Sequence, residues 1–72
     1  MKEITATMAG TVFTILVGVN DEISPGQEVI ILESMKMEIP VDSQTGGKVT
    51  EIKVSIGDFV NEGDLLLVID PE

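Results

Sequence analysis

The fold is decided by a stretch that occurs twice, first as Gly10-Thr-Val-Phe-Thr-Ile-Leu-Val17 and again as Gly47-Lys-Val-Thr-Glu-Ile-Lys-Val54. The copies are offset by 37 residues (47 − 10), and the offset holds without a gap to the end of the chain. The identical pairs include apolar residues and glycines alike: Gly10/Gly47, Val12/Val49, Ile15/Ile52, Val17/Val54, Asp21/Asp58 and Gly26/Gly63. An internal repeat of this kind predicts two matching structural halves.

Each copy predicts the same series of short strands joined by turns. Nearly continuous apolar runs at residues 29–32 and 65–69 suit deeply buried strands. In the second copy, apolar and polar residues alternate from Ile52 to Ile56, and the alternation slips between Val49 and Ile52, which predicts a bulge in that strand. The remaining predicted strands cover residues 3–7, 22–23, 38–42 and 59–60, together with the strand that begins at Gly10.

Two turns contain a glycine at the same repeat position. Ser24-Pro25-Gly26-Gln27 and Asn61-Glu62-Gly63-Asp64 both suit a turn in which the glycine has a positive φ. No segment has the 3.6-residue period of an amphipathic helix. We therefore expect an all-β fold, a flattened barrel or sandwich of two quasi-twofold-related four-stranded halves. Residues 1–72 are expected to form a single domain, without a linker.

The composition excludes several classes of function. The chain has 4 basic and 13 acidic residues, a net charge of −9, so a nucleic-acid partner is not expected. It has no Cys and no His, which excludes disulfides and Cys/His zinc sites and leaves no catalytic residues of its own to propose. The longest apolar run, 65–69, is too short for membrane insertion, and a cytoplasmic location is expected.

The joint between the two copies is the one segment that the repeat does not explain. Ser34-Met35-Lys36-Met37 must reverse the chain, so we expect a tight hairpin on or near the pseudo-twofold axis. Such reversals usually contain Gly, Asn, Asp or Pro, and this one has none. A break with local turn chemistry points first to function. The alternative is ordinary strand alternation, with the methionines filling gaps in the core.

The segment Glu33-Ser34-Met35-Lys36-Met37-Glu38 resembles the attachment motif of the biotinyl domains of biotin-dependent carboxylases. Met8-Ala9-Gly10-Thr11-Val12 is similar to the segment before the second strand of those domains, although many members have Pro where this chain has Ala9. Gly26-Gln27, Gly57-Asp58 and Gly63-Asp64 also fit the pattern. The resemblance covers nearly the whole chain.

The resemblance implies that Lys36 accepts biotin and that Met35 and Met37 lie beside the cofactor. A biotin protein ligase would form biotinyl-adenylate, which the Lys36 amine attacks to give an amide, and the ligase would recognise Glu33, Met35 and Met37. The biotinylated arm, roughly 14 Å long when extended, would carry carboxylate between a biotin carboxylase and a carboxyltransferase. The chain would thus be a carrier within an enzyme system.

Two other interpretations remain open at the level of sequence. Lipoyl domains resemble this fold, repeat and hairpin lysine, although Asp and Ala usually flank their lysine. Lipoate is therefore the alternative cofactor, and modification by both biotin and lipoate is a further possibility. The third interpretation is a scaffold barrel without a cofactor, which leaves the composition of the hairpin unexplained.

Overall fold

Eight strands and no helix make up the described part of the chain, residues 1–71, in the computed structural model. The strands are β1 (Lys2–Thr5), β2 (Gly10–Ile15), β3 (Glu22–Ile23), β4 (Glu28–Ser34), β5 (Met37–Asp42), β6 (Gly47–Ile52), β7 (Phe59–Val60) and β8 (Leu65–Asp70). The predicted all-β class is therefore confirmed. Within these residues, no helix has the length and apolar character needed to cross a bilayer.

The strands form two four-stranded antiparallel sheets that draw on both copies of the repeat. The sheet with the order β5-β4-β2-β7 is called the hairpin sheet, and the sheet with the order β1-β8-β6-β3 is called the terminal sheet. The repeat relates β1 to β5, β2 to β6, β3 to β7 and β4 to β8, so it also relates one sheet to the other. Each sheet contains two strands from each copy of the repeat. Neither copy can therefore form a complete sheet without the other.

Backbone hydrogen bonds between the copies occur in symmetry-related pairs. The Val12 N–H donates to the carbonyl of Asp58 over 2.8 Å, and the equivalent Val49 N–H donates to the carbonyl of Asp21 over 2.9 Å. The carbonyls of Val12 and Val49 in turn accept from Gly57 and Asn20. These reciprocal bonds tie the loop after each long strand to the opposite half, which gives the predicted quasi-twofold arrangement a physical basis.

The core lies between the sheets, and most of its fully buried side chains belong to β4 and β8, which are inner strands of the two sheets. The apolar runs predicted to be deeply buried are indeed inaccessible at Leu32 and Ile30 in β4 and at Leu66, Leu67 and Ile69 in β8. Each such side chain contributes about 1.5–3 kcal/mol through burial. Because β4 is an inner strand packed on the core, the hairpin that follows it has a fixed base.

The predicted continuation of the second-copy strand from Ile52 to Ile56 is wrong, because β6 ends at Ile52. A turn replaces the strand: the Ser55 N–H donates to the Asp58 carboxylate over 2.8 Å, and the Asp58 N–H donates to the Ser55 carbonyl over 3.0 Å. Ile56 is consequently exposed. The predicted bulge is confirmed, since the register of β6 against β8 shifts between Val49 and Glu51. β1 also ends earlier than predicted, at Thr5.

The two predicted glycine turns are confirmed by backbone geometry. Gly26 has φ 85° and Gly63 has φ 90°. Gly47 is more constrained, because it combines φ 153° with a close approach to β8. A Cβ on Gly47 would overlap the carbonyl oxygen of Asp70 and lie 2.9 Å from its carbonyl carbon, whereas a Cβ on Gly63 would meet nothing within 4 Å.

We expect Gly47→Ala to destabilise the fold far more than Gly63→Ala. The Gly63 variant bears only the cost of a left-handed conformation, about 1–2 kcal/mol. The Gly47 variant must also displace the backbone of β8, which should bring its total cost to about 4 kcal/mol or more. Urea denaturation of both variants measures the difference. Equal losses of unfolding free energy would contradict the close β6–β8 packing.

Candidate functional site

The joint between the copies is a hairpin whose loop has only two residues. Ser34 of β4 is paired with Met37 of β5, which leaves Met35 and Lys36 as the loop. Their φ values are 53° and 64°, and two successive positive φ values are typical of a type I′ turn. This turn matches the right-handed twist of the paired strands, so the predicted tight hairpin is confirmed.

The hairpin tip holds its conformation without the residues that usually favour it. A left-handed conformation costs a residue with a Cβ about 1–2 kcal/mol, and both Met35 and Lys36 adopt one. The extensive pairing of β4 with β5, from Glu28 opposite Asp42 to Ser34 opposite Met37, holds the tip in place. The stability of the turn therefore does not explain why Met and Lys occupy these two positions.

The methionines beside Lys36 are exposed and do not fill the core. Met35 is 90% exposed and Met37 is 65% exposed, so the alternative in which they fill core gaps is wrong. Lys36 is exposed between them. The structure thus places three of the predicted site residues together at one solvent-facing tip, with a methionine on each side of Lys36 in the sequence.

The hairpin does not lie on the pseudo-twofold axis, and that prediction is wrong. The repeat maps β4 and β5 onto β8 and β1, so the hairpin corresponds to the region of Asp70 and Lys2. These residues belong to the terminal sheet, whereas a segment on the axis would map onto itself. The hairpin and the chain ends are therefore equivalent positions in opposite sheets.

Glu33, the fourth predicted site residue, lies one pair below the tip. It is exposed and stands directly opposite Glu38 on β5, so two carboxylates face each other across the hairpin. Like charges in this arrangement are mutually repulsive. The one salt bridge within residues 1–71 joins Lys53 Nζ to Glu51 at 2.7 Å, so neither carboxylate has a cationic partner there.

The other lysines lie away from this tip. Lys2 belongs to β1, Lys48 to β6, and Lys53 directly follows β6, so all three are associated with the terminal sheet. Among the strands and tip of the hairpin sheet, Lys36 is the single basic residue. Position in the fold alone therefore distinguishes Lys36 from the rest.

Sequence reasoning missed two residues in the same register row as Glu33, the half-buried Thr11 and the exposed Phe59. On the hairpin sheet, Thr11 of β2 is paired with Glu33 and also with Phe59 of β7. Phe59 is 66% exposed. The repeat could have revealed Phe59, because the equivalent residue of the first copy (59 − 37) is the charged residue Glu22.

The tip is suited to covalent attachment and not to enclosing a ligand. A cavity of about 270 Å³ lies between the edge strands β1 and β5, with Ile4, Thr5, Val41 and Asp42 in its lining, and Lys36 does not line it. No cluster of three or more potential metal ligands occurs in residues 1–71. An exposed primary amine with open space around it can form an amide to a carried group and remain accessible to other proteins.

Comparison with known proteins identifies the family of this arrangement. The family model described as "Biotin-requiring enzyme" (Biotin_lipoyl) matches residues 2–69. A biotin/lipoyl attachment protein of Bacillus subtilis is 57% identical over 60 residues, covering 83% of this chain and 82% of that protein. A biotin carboxyl carrier protein of Streptococcus mutans is 45% identical over 64 residues, covering 89% of this chain and 49% of that protein.

The fold is also similar to part of a solved carboxylase. The crystal structure of the Kluyveromyces lactis urea carboxylase matches with a TM-score of 0.90 and 35% identity, covering 96% of this chain and 6% of that chain. The matching segment is thus one small part of a large enzyme. Together with the family match over nearly the whole sequence, these similarities establish that the chain belongs to the biotin/lipoyl attachment family and is a carrier domain.

Proposed function

We propose that Lys36 is the residue that carries the cofactor and that the cofactor is biotin. The observation that supports this most strongly is the position of Lys36 at the end of a two-residue hairpin between two exposed methionines. Turn stability alone would favour Asn-Gly at the loop positions that Met35 and Lys36 occupy. The side chains at the tip are therefore best explained by what an external enzyme must contact.

The attachment step uses the amine of Lys36 as a nucleophile. The Nζ lone pair forms a bond to the carboxyl carbon of biotin activated as an acyl-adenylate, the bond to the phosphate oxygen breaks, and AMP leaves. The Lys36 ammonium loses one proton to become the nucleophile and a second as the amide forms, and the amide keeps the third; a base must accept the two protons. The nearest carboxylates of this chain, Glu33 and Glu38, lie below the tip on the strands, so the base belongs to the biotin protein ligase.

Glu33, Met35 and Met37 form the recognition surface for that ligase in this proposal. The methionine side chains offer flexible apolar contacts that adapt to more than one partner. Glu33 is exposed and has no cationic partner within residues 1–71, so a basic group of the ligase could pair with it. Once the amide forms, the positive charge of Lys36 is lost, and the apolar neighbourhood suits the neutral arm.

When bound, biotin supplies the site at which a carboxylate group is carried. The barrel keeps the attachment point rigid, while the lysine stem and cofactor together extend roughly 14 Å. We propose that this arm reaches a biotin carboxylase and then a carboxyltransferase. Pyruvate carboxylase of Bacillus subtilis is 36% identical over 69 residues, which represent 6% of that enzyme, so the partner sites would lie in other domains or chains.

Lipoate is the second candidate cofactor, because the Bacillus subtilis relative is named for both groups. The barrel and hairpin suit either one. Selection between biotin and lipoate must therefore come from the side chains around Lys36 that a modifying enzyme contacts. Met35 and Met37 are the apolar candidates for that role, and they favour biotin by resemblance to the biotinyl motif.

We expect Lys36→Arg to abolish biotinylation while leaving the fold intact, because the charge remains and the nucleophilic amine is removed. Lys2→Arg is the matched control and should be modified at the rate of the parent, since Lys2 lies in β1 of the terminal sheet. The intact mass of each variant after incubation with biotin ligase, biotin and ATP shows whether biotin has been attached. Biotin on the Lys36→Arg protein would refute the assignment of this lysine.

We expect the double variant Met35→Asp, Met37→Ala to change which enzyme accepts the chain. Asp tolerates a left-handed conformation, so the hairpin should persist. Loss of the apolar contacts and addition of a charge should lower the initial rate with biotin ligase by at least about tenfold. The same variant should become a better substrate for a lipoyl ligase.

The comparison of cofactors requires each protein to be incubated with each ligase separately. A far-UV circular dichroism spectrum and a urea midpoint, measured in parallel, confirm that the double variant is folded. If the parent is lipoylated faster than it is biotinylated, lipoate becomes the preferred cofactor. If the double variant is biotinylated as fast as the parent, the methionines do not determine specificity.

A further inference from the structure

The repeat provides an internal comparison between the two faces of the molecule. Positions that the fold requires have the same character in both copies, as do the fully buried residues Val12 and Val49. Even some exposed apolar positions are shared, because Val19 and Ile56 are equivalent and both are exposed. An exposed residue that is apolar in one copy and polar in the other is therefore not explained by the fold.

The aromatic residues of the chain break the symmetry in this way. The sequence has two Phe and no Trp or Tyr. Both Phe are in strands of the hairpin sheet: Phe13 is 47% exposed in β2 and Phe59 is 66% exposed in β7. Their equivalents in the terminal sheet are Thr50 (13 + 37) and Glu22 (59 − 37).

A third exposed position follows the same trend. Leu16, directly after β2, is exposed, and its equivalent after β6 is Lys53. In all three of these pairs, the apolar member lies on the side of the hairpin sheet, which also carries Lys36. Exposed aromatic side chains are enriched where proteins contact one another.

Phe59 lies close enough to the hairpin to contact an enzyme that handles Lys36. The register row of the hairpin sheet runs from Glu38 through Glu33 and Thr11 to Phe59. Neighbouring strands are about 4.8 Å apart, so β7 lies roughly 10 Å from β4 across this row. These four residues are called the Phe59 row.

The charge of the Phe59 row suits a basic partner. Its two carboxylates have no basic residue beside them in the hairpin sheet other than Lys36 at the tip. Asp58, which is exposed, directly precedes Phe59. An apolar side chain flanked by carboxylates is complementary to an apolar depression rimmed by Arg or Lys. The net charge of −9 opposes association with a second copy.

We propose that the Phe59 row is a docking surface for the ligase that attaches biotin to Lys36, with Phe59 inserted into an apolar depression of that enzyme. The inference rests on the proposed function of Lys36. The ligase must bring its active site to the bare amine, so its surface must approach the part of the hairpin sheet that adjoins the tip. The carboxylase sites are reached by an arm of roughly 14 Å and can leave the barrel outside.

The test exchanges the two equivalent residues, Phe59→Glu together with Glu22→Phe. The exchange preserves composition and net charge and places each side chain at a position where the other copy of the repeat accepts it. We expect a urea midpoint close to that of the parent. The kcat/KM for biotinylation by purified ligase should fall at least about tenfold, as for loss of a central aromatic contact.

Two single variants show whether a fall in kcat/KM comes from the loss of Phe59 or from the change at Glu22. Phe59→Gln removes the apolar side chain without adding a charge and should show most of the loss. Glu22→Phe alone leaves the Phe59 row unchanged and should be modified like the parent.

The outcomes distinguish the docking proposal from the proposed function. If the parent itself is not biotinylated, the function of Lys36 is refuted. If the parent is modified and the exchange variant matches its kcat/KM, the docking surface is refuted. A loss confined to carboxylation of the biotinylated protein would also overturn the assignment, because the face would then serve the carboxylase and not the ligase.

Discussion

Pairing between strands from opposite copies of the repeat is the constraint on which the structure depends. Each sheet combines two strands from each half, so the halves cannot form independently. The reciprocal bonds from Val12 to Asp58 and from Val49 to Asp21 close this exchange. This small chain has no disulfides. Its core is built on β4 and β8, each of which has a neighbouring strand on both edges. The hairpin that carries Lys36 inherits its rigidity from β4.

The same symmetry makes the functional asymmetry visible. The repeat makes the β4–β5 pair of the hairpin sheet equivalent to the β8–β1 pair of the terminal sheet. The strands β4 and β5 are consecutive in the chain, whereas their equivalents β8 and β1 are paired but not consecutive, so only β4–β5 has a two-residue turn at this position. The unequal residues Phe59 and Glu22 follow this division, since the exposed apolar side chain lies on the face that holds the hairpin.

Much of the fold and site could be predicted from periodicity, turn chemistry and the repeat. The buried runs in β4 and β8, the bulge after Val49, and the hairpin at Met35-Lys36 all produce local signals in the sequence. The end of β6 could not be predicted, because the alternation continues to Ile56 while the Asp58 carboxylate draws the Ser55 backbone into a turn.

The position of the axis and the importance of Phe59 also escaped prediction. The repeat reveals that Phe59 differs from its equivalent Glu22, but the strand order that places Phe59 in the hairpin sheet and fixes the axis is not encoded in a local pattern.

The central claim is that the geometry of the hairpin tip, and not exposure alone, selects the lysine. It is tested most directly by exchanging the loop residues, Met35→Lys with Lys36→Met. Met35 is 90% exposed, so the moved lysine would be fully accessible, but it would leave the turn in a different direction from the next residue. The account predicts that intact mass shows no biotin on the folded variant under conditions that modify the parent completely. Modification at the rate of the parent would contradict it.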